Sequence, residues 1–167
     1  MYVETARTFS ASPTEVHATL VAPATQAAKA EALGALDYRM ATKADGDRLE
    51  VVTRRRLATT RMPEFVRSLV NPSITVVETE RWDAPGSDGS RVAEFLLDID
   101  GAPIKLRGST YLTVVDGGSQ LRWTGDLEAT VPFFRSKITE SAVASVLETI
   151  EVEYEILERT LTGTRAG

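Results

Sequence analysis

The sequence predicts an α+β fold: a curved, seven-stranded antiparallel sheet wrapped around a long C-terminal helix, with two short helices after the first strand. Three observations predict it. From residue 36 to residue 132 the apolar pattern repeats every two residues and is cut by Asp45-Gly46, Asp88-Gly89, Asp100-Gly101 and Asp116-Gly117, dipeptides suited to tight chain reversals. From residue 137 to residue 161 the period changes to that of a helix. Between the first strand and the alternating region, helix-start signals occur twice.

Residues 2–9, YVETARTF, read as the first strand because Val, Thr, Tyr and Phe suit a pleated surface. Ser12, Pro13 and Glu15 then form a capping-box start, with Ala11 and Val16 placed as a hydrophobic staple. Ala22-Pro23 opens a second helix that Gly34 ends, so residues 13–33 form a helix–turn–helix pair. Six alternating runs follow, beginning at LDYRMATK, RLEVVTRRRLAT, SITVVETERW, RVAEFLLDI, PIKLRGSTYLTVV and QLRWTGDLEATV. The last is the cleanest: Leu121, Trp123, Gly125, Leu127, Ala129 and Val131 face one way and charged or hydroxyl residues the other. One sheet face is therefore buried and the other wet. TRMPEFVRSLVNP interrupts the strands with a helix of about two turns lying against an open end of the sheet. On the final helix, about 37 Å long at ~1.5 Å per residue, Val143, Val146, Leu147, Ile150, Tyr154, Leu157 and Leu161 share an arc. Glu140, Glu148, Glu151, Glu155 and Glu158 share an adjacent one, and Val152, Glu153 and Ile156 fall outside both, which points to covered flanks.

The 167 residues suit one domain spanning 1–167, with enough chain for a sizeable core. No apolar run approaches the ~18 residues of a membrane span, and MYVETARTFSASPTEV lacks a secretion signal, so a cytoplasmic location is expected. Zero cysteines exclude disulfides, thiolate nucleophiles and Cys-ligated metals. A net charge of -5 argues against a nucleic-acid partner. Arg48, Arg54, Arg55, Arg56, Arg61 and Arg67 crowd one window, which reads first as a solvated strand face and second as a patch for an anionic ligand or partner.

Chemical motifs are sparse. His17 is the only histidine, so it reads as a surface or helix-packing residue; no catalytic triad, metal site or cofactor is expected. Asp98 and Asp100 lack the rest of a calcium loop, and DAPGSDGS lacks the lysine and helix of a phosphate loop. Strand registers aim Arg55, Glu78 and Glu80 toward the apolar face. Arg55 and Glu78 could pair inside and orient a ligand's carboxylate or hydroxyl, or a bulge could turn them outward as surface ion pairs. The outward arrangement is favoured, because it avoids burying charge. Tyr38 and Tyr111 are the remaining candidate hydrogen-bond donors.

Strand, helix pair, six-strand meander and long helix together resemble the helix-grip fold of the START-like (SRPBCC) superfamily, which includes pollen-allergen-type proteins and polyketide cyclases. Met62-Pro63, then Glu78, Glu80 and Trp82, then Val131-Pro132 followed by Lys137-Ile138-Thr139-Glu140 resemble more narrowly the bacterial domain-of-unknown-function family 2505. Phe133-Phe134-Arg135-Ser136 stand where that family's pattern has smaller, glycine-containing residues. The superfamily resemblance implies a cavity between sheet and helix for a lipid, polyketide or other apolar molecule. The leading expectation is a non-catalytic binder of a small hydrophobic or amphipathic ligand, with no catalytic residue. Trp123, Leu127, Phe133, Phe134, Val143 and Leu147 would supply apolar contacts, Phe65 would gate one end, and Tyr38 and Arg55 would anchor polar atoms. A cyclase or dehydratase using polar residues in the same cavity is the alternative. A third reading is a protein–protein module whose groove is packed shut.

Overall fold

The computed structural model describes residues 1–166. Strand β1 (Tyr2–Phe9) leads to helices α1 (Pro13–Leu20) and α2 (Pro23–Ala32). Strands β2 (Asp37–Asp45) and β3 (Arg48–Ala58) follow, then helix α3 (Glu64–Arg67). Strands β4 (Ser73–Trp82), β5 (Arg91–Asp100), β6 (Ile104–Val115) and β7 (Gly118–Ala129) complete the sheet, and helix α4 (Arg135–Ala166) ends the chain. All seven strands form one antiparallel sheet in the order β1-β7-β6-β5-β4-β3-β2. Consecutive strands β1 and β2 thus occupy opposite edges, and α1 and α2 carry the chain between them across one end of the curved sheet.

Local chemistry accounts for these elements. Ser12 caps α1 by accepting the Glu15 N–H at 3.2 Å, and Pro13 supplies the first helical residue, where no intrahelical N–H is needed. At the end of α2, Gly34 takes φ +71°, a conformation that costs glycine nothing and reverses the chain toward β2. Helix α3 is four residues, shorter than the two turns its sequence predicts. Asn71 precedes Pro72 and is thereby disfavoured in helical conformation, so no helix in this segment extends into β4.

The inward residues of β7 are buried as the alternation predicts: Leu121, Trp123, Leu127 and Ala129. The first three join Phe9, Val16, Leu20, Trp82, Leu106 and Leu112 in one core. The second half of α4 seals it with Ile150, Tyr154, Leu157 and Leu161, and the Tyr154 ring meets Phe9 edge-on at 6.2 Å. The five arc glutamates of α4 are exposed. His17 is buried rather than a surface residue, edge-on to Trp82 at 4.9 Å with the Arg91 guanidinium 2.8 Å from its ring. Burial and then the Arg91 charge push its pKa down to about 4, so it packs as a neutral ring.

Two glycines shape the concave face. Gly108 of β6 lies opposite Gly125 of β7, and the Phe95 and Trp123 rings stack beside them with centroids 4.5 Å apart. A Cβ on Gly108 would fall 1.9 Å from the Thr124 carbonyl oxygen and 2.7 Å from Phe95, so the backbones are closer here than a side chain permits. Gly108→Ala is expected to destabilise the protein by about 1–3 kcal/mol through overpacking, read as a lower denaturant midpoint. Thr110→Ala, one inward position further along β6, should cost clearly less.

Candidate functional site

A hollow exists because the two halves of α4 present different side chains to the sheet. Beyond residue 150 the inward residues are large. Before it, Ile138, Ser141, Ala142, Ser145, Val146 and Thr149 border the space under the helix, and the four small ones among them leave it incompletely filled. The result is a cavity of about 160 Å³ beneath the first half of the helix. Its sheet wall is apolar: Val76, Leu97, Leu106, Trp123 and Leu127. Met62, Pro63, Val66 and Val70 of the α3 segment stand at one end, with Ala102 from the β5–β6 connection and Ile104 at the start of β6.

Charged side chains from four elements meet at the boundary between the hollow and packed halves. Lys29 of α2 donates to Glu153 of α4 at 2.7 Å and lies 3.5 Å from Glu78 of β4. Arg55 of β3 donates to the same Glu78 oxygen at 2.9 Å and reaches Thr53 at 3.4 Å. Glu80, two residues along β4, accepts the Trp82 indole N–H at 2.8 Å. Lys29 and Arg55 are 3% and 2% exposed, so none of this is surface ion pairing. Lys29, Arg55, Glu78, Glu80 and Glu153 all border the cavity.

The surroundings divide the carboxyl groups. Burial opposes ionisation of Glu78, but Lys29 and Arg55 overcome it and hold its pKa well below the usual carboxylate range. For Glu80, burial and then the charges of Glu78 and Glu153 act together and raise the pKa to about 8. Burial works against the Lys29 cation, yet Glu153 and Glu78 raise its pKa. The cluster therefore sets Lys29 and Arg55 among three carboxyl groups in a poorly solvated place, and the surroundings drive the pKa values of Glu78 and Glu80 apart.

Of the residues singled out from sequence, Arg55, Trp123 and Leu127 border the cavity. Arg55 and Glu78 point inward, against the favoured outward arrangement, because the β3–β4 register runs without a bulge and the two cations compensate the buried carboxylates. Tyr38 lies beside Arg55 across the β2–β3 pair, its hydroxyl buried without a partner, but it does not reach the cavity. Phe133 and Phe134 point to solvent at 77% and 62% exposure, and Phe65 and Leu147 are exposed as well. Val143 packs on the core outside the hollow. Helix α4 is rolled relative to its apolar arc, because α1 and α2 cover the flank that carries Glu153 and Ile156. Lys29 carries no sequence signal, since one lysine on an alanine-rich helix reads as solvated. Glu153 did carry one, lying outside the acidic arc.

Phe134 is the only non-glycine with positive φ among the described residues, at +66°. It stands directly before α4, and the Ile138 N–H donates to its carbonyl at 3.0 Å. A large side chain in this conformation costs roughly 1–2 kcal/mol.

The comparisons agree with this architecture. Residues 4–161 match the model of the family described as "Protein of unknown function (DUF2505)", and the chain belongs to that family. No curated protein matches the sequence. Among solved structures, TTHA0849 from Thermus thermophilus is similar with a TM-score of 0.64 at 15% identity, over 98% of this chain and 99% of that one. The Zhui aromatase/cyclase from Streptomyces sp. R1128 gives 0.59 at 15% identity, over 96% and 95%. Ara h 8.0201 gives 0.52 at 13% identity, over 94% and 97%. These likenesses show the helix-grip fold, in which a curved antiparallel sheet wraps a C-terminal helix. Among the described residues no helix is long and apolar enough to cross a membrane.

Lys29→Met is expected to cost about 3–5 kcal/mol in denaturant unfolding, since it leaves buried carboxylates without their cation. The pH dependence follows from the signs. The pKa of Glu80 is higher folded than unfolded, so its stabilising contribution is complete below about pH 4.5 and is lost as pH rises through about 8. Glu80→Gln removes that dependence. Melting curves from pH 5 to 9 should show wild type losing stability relative to Glu80→Gln, with the difference levelling off above pH 8 to 9.

Proposed function

We propose that the protein binds a small amphipathic molecule in the cavity between the sheet and α4. One observation carries this reading: a partly open apolar hollow ends in the buried cluster of Lys29, Arg55, Glu78, Glu80 and Glu153. Val76, Leu97, Leu106, Trp123 and Leu127 would hold the ligand's apolar body, at roughly 25 cal/mol per Å² of area removed from water. Glu80 would donate to a ligand hydroxyl or carbonyl oxygen, and Arg55 would stand beside it. An uncharged polar end suits this cluster better than a carboxylate, because an added anion would upset the charge balance. Cavities of ~150 Å³ take one aromatic ring, so a longer ligand would extend past α3 toward solvent.

Native mass spectrometry of freshly purified protein, with organic extraction of whatever is released, tests the reading. A co-purifying lipid or aromatic compound is expected, along with saturable quenching of tryptophan fluorescence on adding it back. Ala142→Phe, which fills the hollow from α4, should abolish both while keeping or raising the melting temperature. Persistent failure to detect a ligand, or undiminished binding by Ala142→Phe, would remove the reading.

The split between Glu78 and Glu80 favours a second reading. Neighbouring carboxyl groups with pKa values driven apart are how sites assign acid roles, so a cyclase or dehydratase-like reaction could use Glu80 as proton donor. Turnover of a bound ligand that falls as pH rises through about 8 and vanishes in Glu80→Gln would establish it.

A further inference from the structure

Phe133 and Phe134 are the most exposed large apolar residues of the protein apart from Tyr2 at the N-terminal edge, and the backbone at Phe134 is strained. Neither ring packs on the core, so packing does not explain them. Their neighbourhood is fixed by backbone hydrogen bonds. The Thr130 N–H donates to the Pro103 carbonyl at 2.9 Å, and the Asn71 N–H donates to the Gly101 carbonyl at 3.2 Å. The β7–α4 connection, the β5–β6 connection and the α3 segment therefore share one rim. It is the same rim at which Met62, Val66, Ala102 and Ile138 border the cavity.

That rim combines two properties. Phe65 and Leu69 of the α3 segment are exposed at 39% and 41%, adding to the two phenylalanines. Arg61, Arg67, Arg135 and Lys137, all exposed, stand in the same two segments, and none belongs to an ion pair among the described residues. Glu64 is the only carboxylate between residues 61 and 70, there is none from 131 to 137, and the end of β5 adds the exposed Asp100, so four cations stand with two carboxylates on this rim. The chain as a whole carries a net charge of -5, so this basic collar runs against the general sign. Exposed aromatic side chains with cations in the same segments match the interface of an anionic bilayer, where rings enter the acyl boundary and cations meet phosphates.

We propose that this rim docks the protein on the surface of an anionic phospholipid membrane, with Phe133 and Phe134 inserting and Arg61, Arg67, Arg135 and Lys137 contacting headgroups. Docking would place the cavity end bordered by the α3 segment against the lipid, a direct route for an apolar ligand. The proposal goes beyond the ligand reading and is separable from it, since vesicle binding and cavity occupancy are measured independently.

Co-sedimentation tests it, using vesicles of phosphatidylcholine alone and phosphatidylcholine containing about a quarter phosphatidylglycerol. Binding to the anionic vesicles is expected, weakened when salt rises from ~0.1 M to ~0.5 M. Phe133→Ser with Phe134→Ser should lower the partition coefficient about tenfold or more. Arg135→Glu with Lys137→Glu should remove the anionic preference. All four side chains are exposed, so circular dichroism and melting should confirm that both double variants fold. Equal binding to the two vesicle types, no binding, or variants that bind like wild type would overturn the proposal. So would self-association without vesicles that the phenylalanine variant abolishes, which would assign the patch to a second copy of the chain. If Ala142→Phe loses ligand but still sediments with anionic vesicles, docking survives failure of the cavity reading.

Discussion

The site depends on the buried contact between the Lys29 ammonium and the carboxylates of Glu153 and Glu78. It joins α2, α4 and the sheet at the position where α4 stops filling the space beneath it. An unpaired ammonium in that place would carry a desolvation penalty of several kcal/mol. The geometry is therefore constrained from three sides. With Arg55 on the far side of Glu78, the positive charge is sufficient for two carboxylates and not for three. The pKa of the third, Glu80, is pushed up to about 8 by burial and by the charges of Glu78 and Glu153.

This joint also explains how a hollow persists in a folded protein. Removing large side chains from an interior normally costs packing energy and invites collapse. Here the helix is anchored by dense packing on one side, around Tyr154 and Leu157, and by the ionic joint at the middle. Its first half can then stand off the sheet on Ser141, Ala142, Ser145 and Thr149 without settling onto it. On the opposing wall Trp123 borders the hollow, held by its stack on Phe95 beside the glycine pair.

Much of this architecture was legible in the sequence, because period-two alternation, Asp-Gly turns and helix caps are local signals. Every strand and the helix pair follow from them, and burial of β7 follows residue by residue. The resemblance carried by Met62-Pro63, Glu78, Glu80, Trp82 and Val131-Pro132 pointed to the family that the comparisons show. The site was less legible, for a physical reason. A helical projection identifies an apolar arc but not how the helix is rolled, and α1 and α2 rolled α4 so that its small residues face the hollow. Charge patterning also favours the surface for Arg55 and Glu78, since compensation by Lys29, more than twenty residues away along the chain, leaves no local trace. Phe133 and Phe134 were expected at one mouth of the cavity, plugging the core or lining an entrance, and they stand in the β7–α4 connection with both rings turned to solvent.

The placement of β1 bears on how the chain comes together as it is made. Its register joins Tyr2 to Asp126 and Phe9 to Ser119, so the first strand synthesised has no partner until the last has emerged. The meander from β2 to β7 can zip strand by strand through short reversals, but the N-terminal edge must wait through most of translation with its amides unpaired. Thr, Glu and Arg interleaved along YVETARTF keep that waiting segment from being a continuous oily ribbon, which limits its tendency to pair with the wrong neighbour.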